Sequence, residues 1–131
     1  MAMNQKVKLV DQISKNILFL GNGTFQDMKS KGLHISFRNE THQFHWRIYD
    51  QALIIESISD VKVVLTCKEE HQTKGHIETE FGQLDLEIMT TMYKKEESKI
   101  EVCYEMNGDQ EKQAFHFILY IFPEEVNHEI H

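Results

Sequence analysis

Histidine is the residue in this sequence with the widest chemical range, and eight histidines occur in 131 residues. Imidazole binds metals and exchanges protons near neutral pH, so three histidines brought together would indicate a metal site. His42 and His45 flank the start of a predicted strand, while His34 and His116 lie on the polar faces of two other predicted strands. Histidines on such faces are more often solvated or hydrogen-bonded than metal-bound. We therefore predict neither a metal nor a cofactor.

The C-terminal sequence HEIH, residues 128–131, resembles the zinc-binding pattern HExxH but is one residue shorter. Its two histidines stand at the chain end, with no following helix to hold them in place. We expect a frayed terminus here rather than a zinc site.

Four carboxylates form a second candidate group, with Glu78 and Glu80 before a predicted turn and Asp85 and Glu87 after it. Paired carboxylates perform general acid–base chemistry when burial separates their pKa values. These four alternate with apolar residues and are partly balanced by Lys74, which is typical of a solvated strand face. We interpret them as surface charge that discourages edge-to-edge association of sheets.

No nucleophile motif is present. Cys67 and Cys103 stand alone, without the CxxC spacing of metal and redox sites, and the sequence contains neither GxSxG nor a glycine-rich phosphate loop. Both cysteines are expected to be free thiols with a structural role. The sequence therefore gives no positive evidence for an enzyme.

Charge and hydropathy narrow the range of partners. The formal net charge is −7 and the 14 Lys and Arg are scattered, which disfavours nucleic acid. The N-terminal residues lack the apolar stretch of a signal peptide, and no run approaches the roughly 20 apolar residues of a membrane helix. We expect a cytoplasmic protein that does not interact with membranes.

These candidate residues are positioned by elements whose apolar and polar residues alternate with a period of two. The pattern is clearest in residues 33–38, 44–49, 76–81, 84–89 and 99–106. It is typical of antiparallel strands with one buried face. Thirteen Ile, seven Val and 13 aromatic residues against three Ala also favour strands over helices.

Turn residues divide the chain into nine or ten strands. Gly82-Gln83 is predicted to end an alternating row that includes Phe81, and Asn107-Gly108 is the strongest turn signal because both residues tolerate positive φ. Residues 6–20 are predicted to form one or two strands with a bulge.

So many short strands in one domain expose sheet edges unless the sheet closes. We predict a single all-β domain over residues 1–131, with flexible ends at 1–5 and 124–131. Its fold is expected to be a closed or nearly closed antiparallel up-and-down barrel of about eight to ten strands.

Four segments together resemble a known family. They are residues 79–90 (TEFGQLDLEIMT), the strand at 100–106, the aromatic strand at 115–119 and residues 25–40. The chain resembles the YwiB-like family of small bacterial cytoplasmic proteins of unknown function. The resemblance implies a calycin-like, lipocalin-like β-barrel, and no catalytic signature accompanies it.

The chain departs from this family at two places. Many relatives carry Thr-Pro where this chain has Thr79-Glu80, and an Arg near a Gly where it has residues 56–59 (ESIS). No anion-binding role of that Arg can therefore be transferred to this chain.

Alternation assigns a row of aromatic side chains to the barrel interior. Its members are Phe25, Phe37, Phe44, Trp46, Tyr104, Phe115 and Phe117. A barrel of about eight strands either fills its interior with side chains or holds one small ligand. The residues we predict to line such a ligand cavity are Phe37, Trp46, Tyr104 and Phe117. Tyr104 is of special interest because a buried phenol needs a hydrogen-bond partner.

Two functions follow from these alternatives. The first is a non-enzymatic barrel that binds a small, largely apolar ligand in its interior. The second is a structural or regulatory interaction domain with a packed core, which could include a homodimer. Its contact patch would consist of outward apolar residues, for which Ile54, Ile58, Val64 and Ile118 are the candidates.

Overall fold

The computed structural model describes residues 2–29, 31–107 and 112–123, which form ten β-strands. In chain order the strands are β1 (Ala2–Asp11), β2 (Asn16–Asp27), β3 (Leu33–Arg38), β4 (Gln43–Ile48), β5 (Leu53–Ile58), β6 (Lys62–Cys67), β7 (Gln72–Thr79), β8 (Gly82–Lys95), β9 (Lys99–Asn107) and β10 (Lys112–Ile121). Within the described ranges, no helical segment has the length and apolarity needed to cross a lipid bilayer. The C-terminal HEIH sequence and the Gly108 turn position lie outside the described residues.

Each strand pairs antiparallel with the next along the chain, and the pairing of β1 with β10 closes the sheet into a barrel. The closing contact aligns residues 7–11 with residues 121–117. Every strand therefore has two hydrogen-bonded neighbours, which removes the open edges of a flat sheet. The predicted all-β, closed up-and-down barrel is confirmed, with ten strands.

The N-terminal region forms two strands with an irregular register. The pairing of β1 with β2 shifts between Leu9 and Val10, so Leu9 faces Phe19 and Val10 faces Ile17. Leu18 is the extra residue at this bulge. A bulge bends and twists its strand, and this one lies close to one end of the barrel. The prediction of a bulged N-terminal region is confirmed.

The hairpin between β7 and β8 turns two residues earlier than predicted. Its loop is Glu80-Phe81, because Thr79 pairs with Gly82 and Gly82 adopts a φ of 129°. The Thr79 hydroxyl fixes the loop by accepting a hydrogen bond from the Phe81 amide at 3.0 Å and donating one to the Gly82 carbonyl at 3.1 Å. Phe81 consequently lies in the turn and is 91% exposed. Its assignment to the alternating row of the strand was wrong.

One end of the barrel is filled with side chains. We call it the packed end, and it is the end at which β4 turns into β5 and β6 into β7. Its interior residues are almost fully excluded from solvent: Ile48, Leu53, Cys67, Ile100, Val102 and Leu119. The opposite end, which contains the turns at residues 12–15, 39–42, 59–61 and 80–81, we call the mouth end.

The outer face of the barrel includes one buried apolar pair. Ile118, predicted to be exposed, is only 4% exposed and has Val10 as its cross-strand partner. Both residues lie outside the main core cluster, so they form a separate buried pair on the β1–β10 surface. Ile118 is therefore removed from the predicted contact patch, while Ile54, Ile58 and Val64 are partly exposed.

Candidate functional site

A cavity of about 330 Å³ occupies the half of the barrel interior next to the mouth end. Its floor is formed by residues near the middle of β4, β5, β6 and β9, and its rim by the turn between β3 and β4. The lining residues are Leu9, Leu18, Asn39, His42, Phe44, Trp46, Ile55, Ser57, Val63, Leu65, Tyr104 and Phe117. The barrel is therefore packed in one half and hollow in the other.

Three of the four aromatic residues predicted to line a cavity lie in its wall. They are Trp46, Tyr104 and Phe117, and the rings of Tyr104 and Phe117 are 6.2 Å apart. Phe37 is not part of this wall. It packs between Phe19, at 4.8 Å, and Phe44, at 5.0 Å, so it supports the cavity from behind Phe44.

A second depression, of about 300 Å³, lies on the outer surface of β2, β3 and β4. Most of its lining is polar: Asn22, Thr24, Ser36, Phe37, Arg38, Gln43, Phe44 and His45. The interior cavity is the better candidate for a ligand site, because small-molecule sites are concave and mostly apolar with a few placed polar groups.

The Tyr104 hydroxyl is the notable polar group of the cavity wall. Tyr104 is 4% exposed, and burial, followed by the neighbouring Cys67 and Asp11, raises the pKa of its phenol far above the ordinary range. Its hydroxyl has no hydrogen-bond partner within the described part of the chain. Tyr93, which is 8% exposed, differs because its hydroxyl donates to the Tyr49 carbonyl at 2.6 Å. Tyr104 is thus neutral and available to a guest.

Trp46 contributes a second unused polar group. Its side chain is 1% exposed, and its indole N–H is buried without a hydrogen-bond partner among the described residues. Most buried polar groups in proteins are hydrogen-bonded, and leaving one unpaired costs about 1–3 kcal/mol. Because Trp46 Nε1 has almost no accessible surface, this N–H does not face the open space of the cavity, and the Tyr104 hydroxyl is the candidate polar partner for a ligand.

The rim of the cavity is held in a fixed conformation by Asn39. Its Oδ1 accepts hydrogen bonds from the Thr41 amide at 2.9 Å and the His42 amide at 2.8 Å, which closes the turn between β3 and β4. This turn places the His42 ring parallel to Phe44, with ring centroids 5.7 Å apart. Sequence reasoning missed both Asn39 and His42 as lining residues. The only available signal was Asn39 at the start of a polar turn, a position where Asn commonly caps.

The floor separates the cavity from the packed end. Beneath it, burial raises the pKa of the Cys67 thiol to about 11, and the neighbouring Thr90 side chain acts in the opposite direction. The thiol is therefore protonated at neutral pH and unsuited to act as a nucleophile. Cys67 is a free, buried thiol in the hydrophobic core.

The histidines do not gather at one place. His34 and His45 meet on the outer face, with His34 Nε2 and His45 Nδ1 2.9 Å apart. His116 pairs instead with Glu101 at 2.6 Å on β9 and β10. In the described ranges, no group of three or more His, Cys, Asp or Glu side chains is arranged to hold a metal ion.

The carboxylates of the β7–β8 hairpin are distributed over a solvated surface. His76 Nε2 lies 2.8 Å from Glu78, while Asp85 is the cross-strand partner of His76, and Glu87 that of Lys74. The pairing mixes acids with bases rather than placing two carboxylates side by side. This arrangement offers no buried carboxylate pair for acid–base chemistry.

The outer-face cluster around His34 links stability to pH. Burial, followed by the charges of Arg47 and His45, lowers the pKa of His34, and Glu56 only partly opposes this. Glu56 itself is nearly buried and accepts from Arg47 and Lys62, each at 3.2 Å. Burial opposes its ionisation, but these two partners outweigh burial and lower the pKa of Glu56.

We expect the free energy of unfolding to fall as pH drops below about 6.5, the pKa of His in an unfolded chain. A depressed His34 pKa means that the unfolded chain binds the proton first, so stabilisation is complete above that pKa and decreases below it. Urea unfolding between pH 7.5 and 5 checks this. In His34→Gln the slope of unfolding free energy against pH should become less steep. The decrease should be a fraction of the roughly 1.4 kcal/mol per pH unit that the uptake of one full proton contributes. An unchanged slope in this variant would contradict the assignment of the pH dependence to His34. Glu56 does not interfere, because its contribution to the slope begins only below about pH 4.5.

A family comparison places the chain among known sequences. The model of the domain of unknown function DUF1934 matches residues 3–119. The chain belongs to the DUF1934 family. Among solved structures, this DUF1934 chain resembles the ywiB protein from Bacillus subtilis, with 14% sequence identity and a TM-score of 0.59. The match covers 92% of this chain and 89% of the other, and it shows a shared fold.

The comparison with curated proteins returned no match. For this DUF1934 chain, the predicted resemblance to the YwiB-like family is therefore confirmed at the level of family and fold.

Proposed function

We propose that this protein is a non-enzymatic binding barrel whose half-hollow interior takes one small, largely apolar molecule. The observation that carries the proposal is the interior cavity of about 330 Å³ next to the mouth end. Protein interiors are close-packed and seldom leave voids of this size without a use. Its volume lies at the lower end of the range for ligand sites, about 300–1,000 Å³.

The composition of the wall supports a ligand rather than a catalytic centre. Apolar and aromatic side chains form most of it, and the polar contributions come from Tyr104, Trp46, Ser57 and the rim. The Cys67 thiol below the floor is protonated, and the described part of the chain offers no buried acid–base pair at the cavity. Such a site can hold and release a molecule.

The cavity can be filled by one substitution. We expect Val63→Phe, in the cavity wall on β6, to lower the affinity for naphthalene, used as an apolar probe, by about tenfold or more, which is about 1.4 kcal/mol. The larger side chain occupies the space the probe needs. Trp46, the single tryptophan, lies in the same wall, so quenching of its fluorescence measures binding directly.

The matched control is Val64→Phe. Val64 is the next residue on the same strand, faces outward and is partly exposed, so the same enlargement leaves the cavity open. The control should bind naphthalene as the wild type does. Equal affinities in all three proteins, with folding confirmed by circular dichroism, would show that the probe binds elsewhere.

Native mass spectrometry of untagged protein from the expressing cells provides a second test. A reproducible extra mass that is present in Val64→Phe and absent in Val63→Phe would establish cargo in the cavity. The spectrum also reports the oligomeric state.

A second candidate function is an interaction domain that associates with another copy of itself through the mouth end. Large apolar side chains exposed at that end favour it: Ile13, Ile17, Leu18, Phe81 and Leu84. They lie in two groups at the same end of the barrel, one around the β1–β2 turn and one on the β7–β8 hairpin, and contiguous apolar patches mark contact sites in soluble proteins. A dimer without cargo in the same native spectrum would support this function over the first.

A further inference from the structure

We infer that the ligand is an uncharged molecule of about the size of one or two aromatic rings, and that it carries a hydrogen-bond acceptor which it directs inward to the Tyr104 hydroxyl. This inference rests on the proposed binding function and specifies its ligand class. It follows from three properties of the cavity: the absence of charged side chains in its lining, the unpaired Tyr104 hydroxyl in its wall, and its size.

The cavity wall contains no charged side chain that could pair with a charged ligand. None of the lining residues is Lys, Arg, Asp or Glu, and the His42 ring is at the rim. Asp11, the acid that influences Tyr104, accepts hydrogen bonds from the amides of Ile13 at 3.0 Å and Ser14 at 3.3 Å in its own turn. A buried charge without a partner is strongly unfavourable, so an ionised ligand group is excluded from the floor.

The unpaired Tyr104 hydroxyl requires a hydrogen-bond acceptor at the inner end of the ligand. Its phenol stays protonated because burial, Cys67 and Asp11 all raise its pKa, so its O–H is a donor at every physiological pH. A ligand carbonyl, ether or ring nitrogen would satisfy this donor. The Trp46 indole N–H is not a second donor for the ligand, because this atom has almost no surface open to the cavity.

Size and shape restrict the rest of the molecule. An apolar cavity of about 150 Å³ is large enough to bind benzene, so a cavity of about 330 Å³ can hold a molecule of one or two aromatic rings. Phe44, Trp46, Tyr104 and Phe117 contribute four aromatic rings to its wall. Aromatic surfaces favour stacked and edge-to-face contacts, and this wall therefore suits a planar guest.

Three matched probes test the ligand class with the intact protein: acetophenone, ethylbenzene and benzoate. They share one benzene ring and carry an acetyl, an ethyl or a carboxylate substituent, but only acetophenone is both uncharged and an acceptor. Titrations followed by Trp46 fluorescence and by calorimetry should place acetophenone first and benzoate last. In Tyr104→Phe the affinity for acetophenone should fall by about three- to tenfold, as expected for one lost hydrogen bond, while that for ethylbenzene stays within about twofold.

Tyr93→Phe is the control variant, because it removes another buried phenol whose hydroxyl is already bound to the Tyr49 carbonyl. It should leave the order and the affinities of the probes unchanged. If acetophenone and ethylbenzene bind equally in the wild type, or if benzoate binds best, the inferred ligand class is wrong although the cavity still binds molecules. If none of the three binds and naphthalene also fails, the proposed function itself is overturned.

Discussion

Leu53→Ala should lower the free energy of unfolding by about 3–5 kcal/mol, the upper part of the range for Leu→Ala in protein cores. Leu53 is fully buried at the packed end, at the start of β5, where its cross-strand partners are Ile48 and Cys67. Close packing on all sides prevents the surroundings from collapsing into the space that the lost methyl groups leave. Urea unfolding measures the change from the transition midpoint and slope.

Leu65→Ala is the matched comparison, because Leu65 is also a buried leucine but lies in the wall of the cavity. Part of its surface already faces open space, so its truncation removes fewer contacts and should cost nearer 2 kcal/mol. The effects on binding should be reversed, with probe affinity altered by Leu65→Ala and unchanged by Leu53→Ala. Equal losses of stability in the two variants would contradict the division into a packed half and a hollow half.

Gly75→Ala should be strongly destabilising although it adds only a single methyl group. An added Cβ would lie 2.7 Å from the Val64 carbonyl oxygen and 2.9 Å from Leu65 Cδ2. The first of these atoms belongs to the backbone of the neighbouring strand, so β6 and β7 would have to separate locally. We expect a loss of about 1–3 kcal/mol in unfolding free energy, as for other overpacked cores.

Gly23→Ala is the control for this change. Gly23 is also a buried strand glycine, but its added Cβ would find Val7 Cγ2 at 3.3 Å and Ile35 Cγ2 at 3.4 Å, contacts that small side-chain shifts relieve. Its effect should lie close to zero, since Gly→Ala at a compatible position also restricts the unfolded chain. If both variants lose the same stability, the close approach at Gly75 is not the cause.

The burial of Trp46 limits which substitutions can be used to test the cavity. Trp46 is 1% exposed, and truncation of a buried tryptophan to alanine costs about 3–5 kcal/mol. A loss of binding in Trp46→Ala could therefore not be separated from a loss of folding, so this variant is not a clean test of the cavity. Tyr104→Phe and Val63→Phe change the cavity with less loss of packing.

Much of the fold could be predicted from the sequence because alternation reports directly which side of a strand is buried. It identified the barrel, the inward position of Trp46 and Tyr104, and the bulged N-terminal strands. Turn positions were less predictable. The loop at Phe81 depends on the Thr79 hydroxyl, which forms hydrogen bonds with two backbone groups. No pattern of apolar residues predicts these hydrogen bonds.

The site was predictable only in part, because alternation gives the side of a strand but not the depth along the barrel. Phe37 and Trp46 both face inward, yet the first packs behind Phe44 and the second lines the cavity. Rim residues such as His42 belong to a turn and follow no period. Outward residues were equally hard to judge, since Ile118 is buried by its surroundings on the outer face rather than by the core.

The pairing of β1 with β10 has a consequence for synthesis in the cell. The first strand finds its second partner only in the last one, across almost the whole length of the chain. Until residues through Ile121 have left the ribosome, β1 and β9 each present an unpaired edge that another nascent chain could join. Chains shortened before β10 should therefore aggregate during translation. The ten-residue strand β10 ends this exposure because it pairs with both β1 and β9.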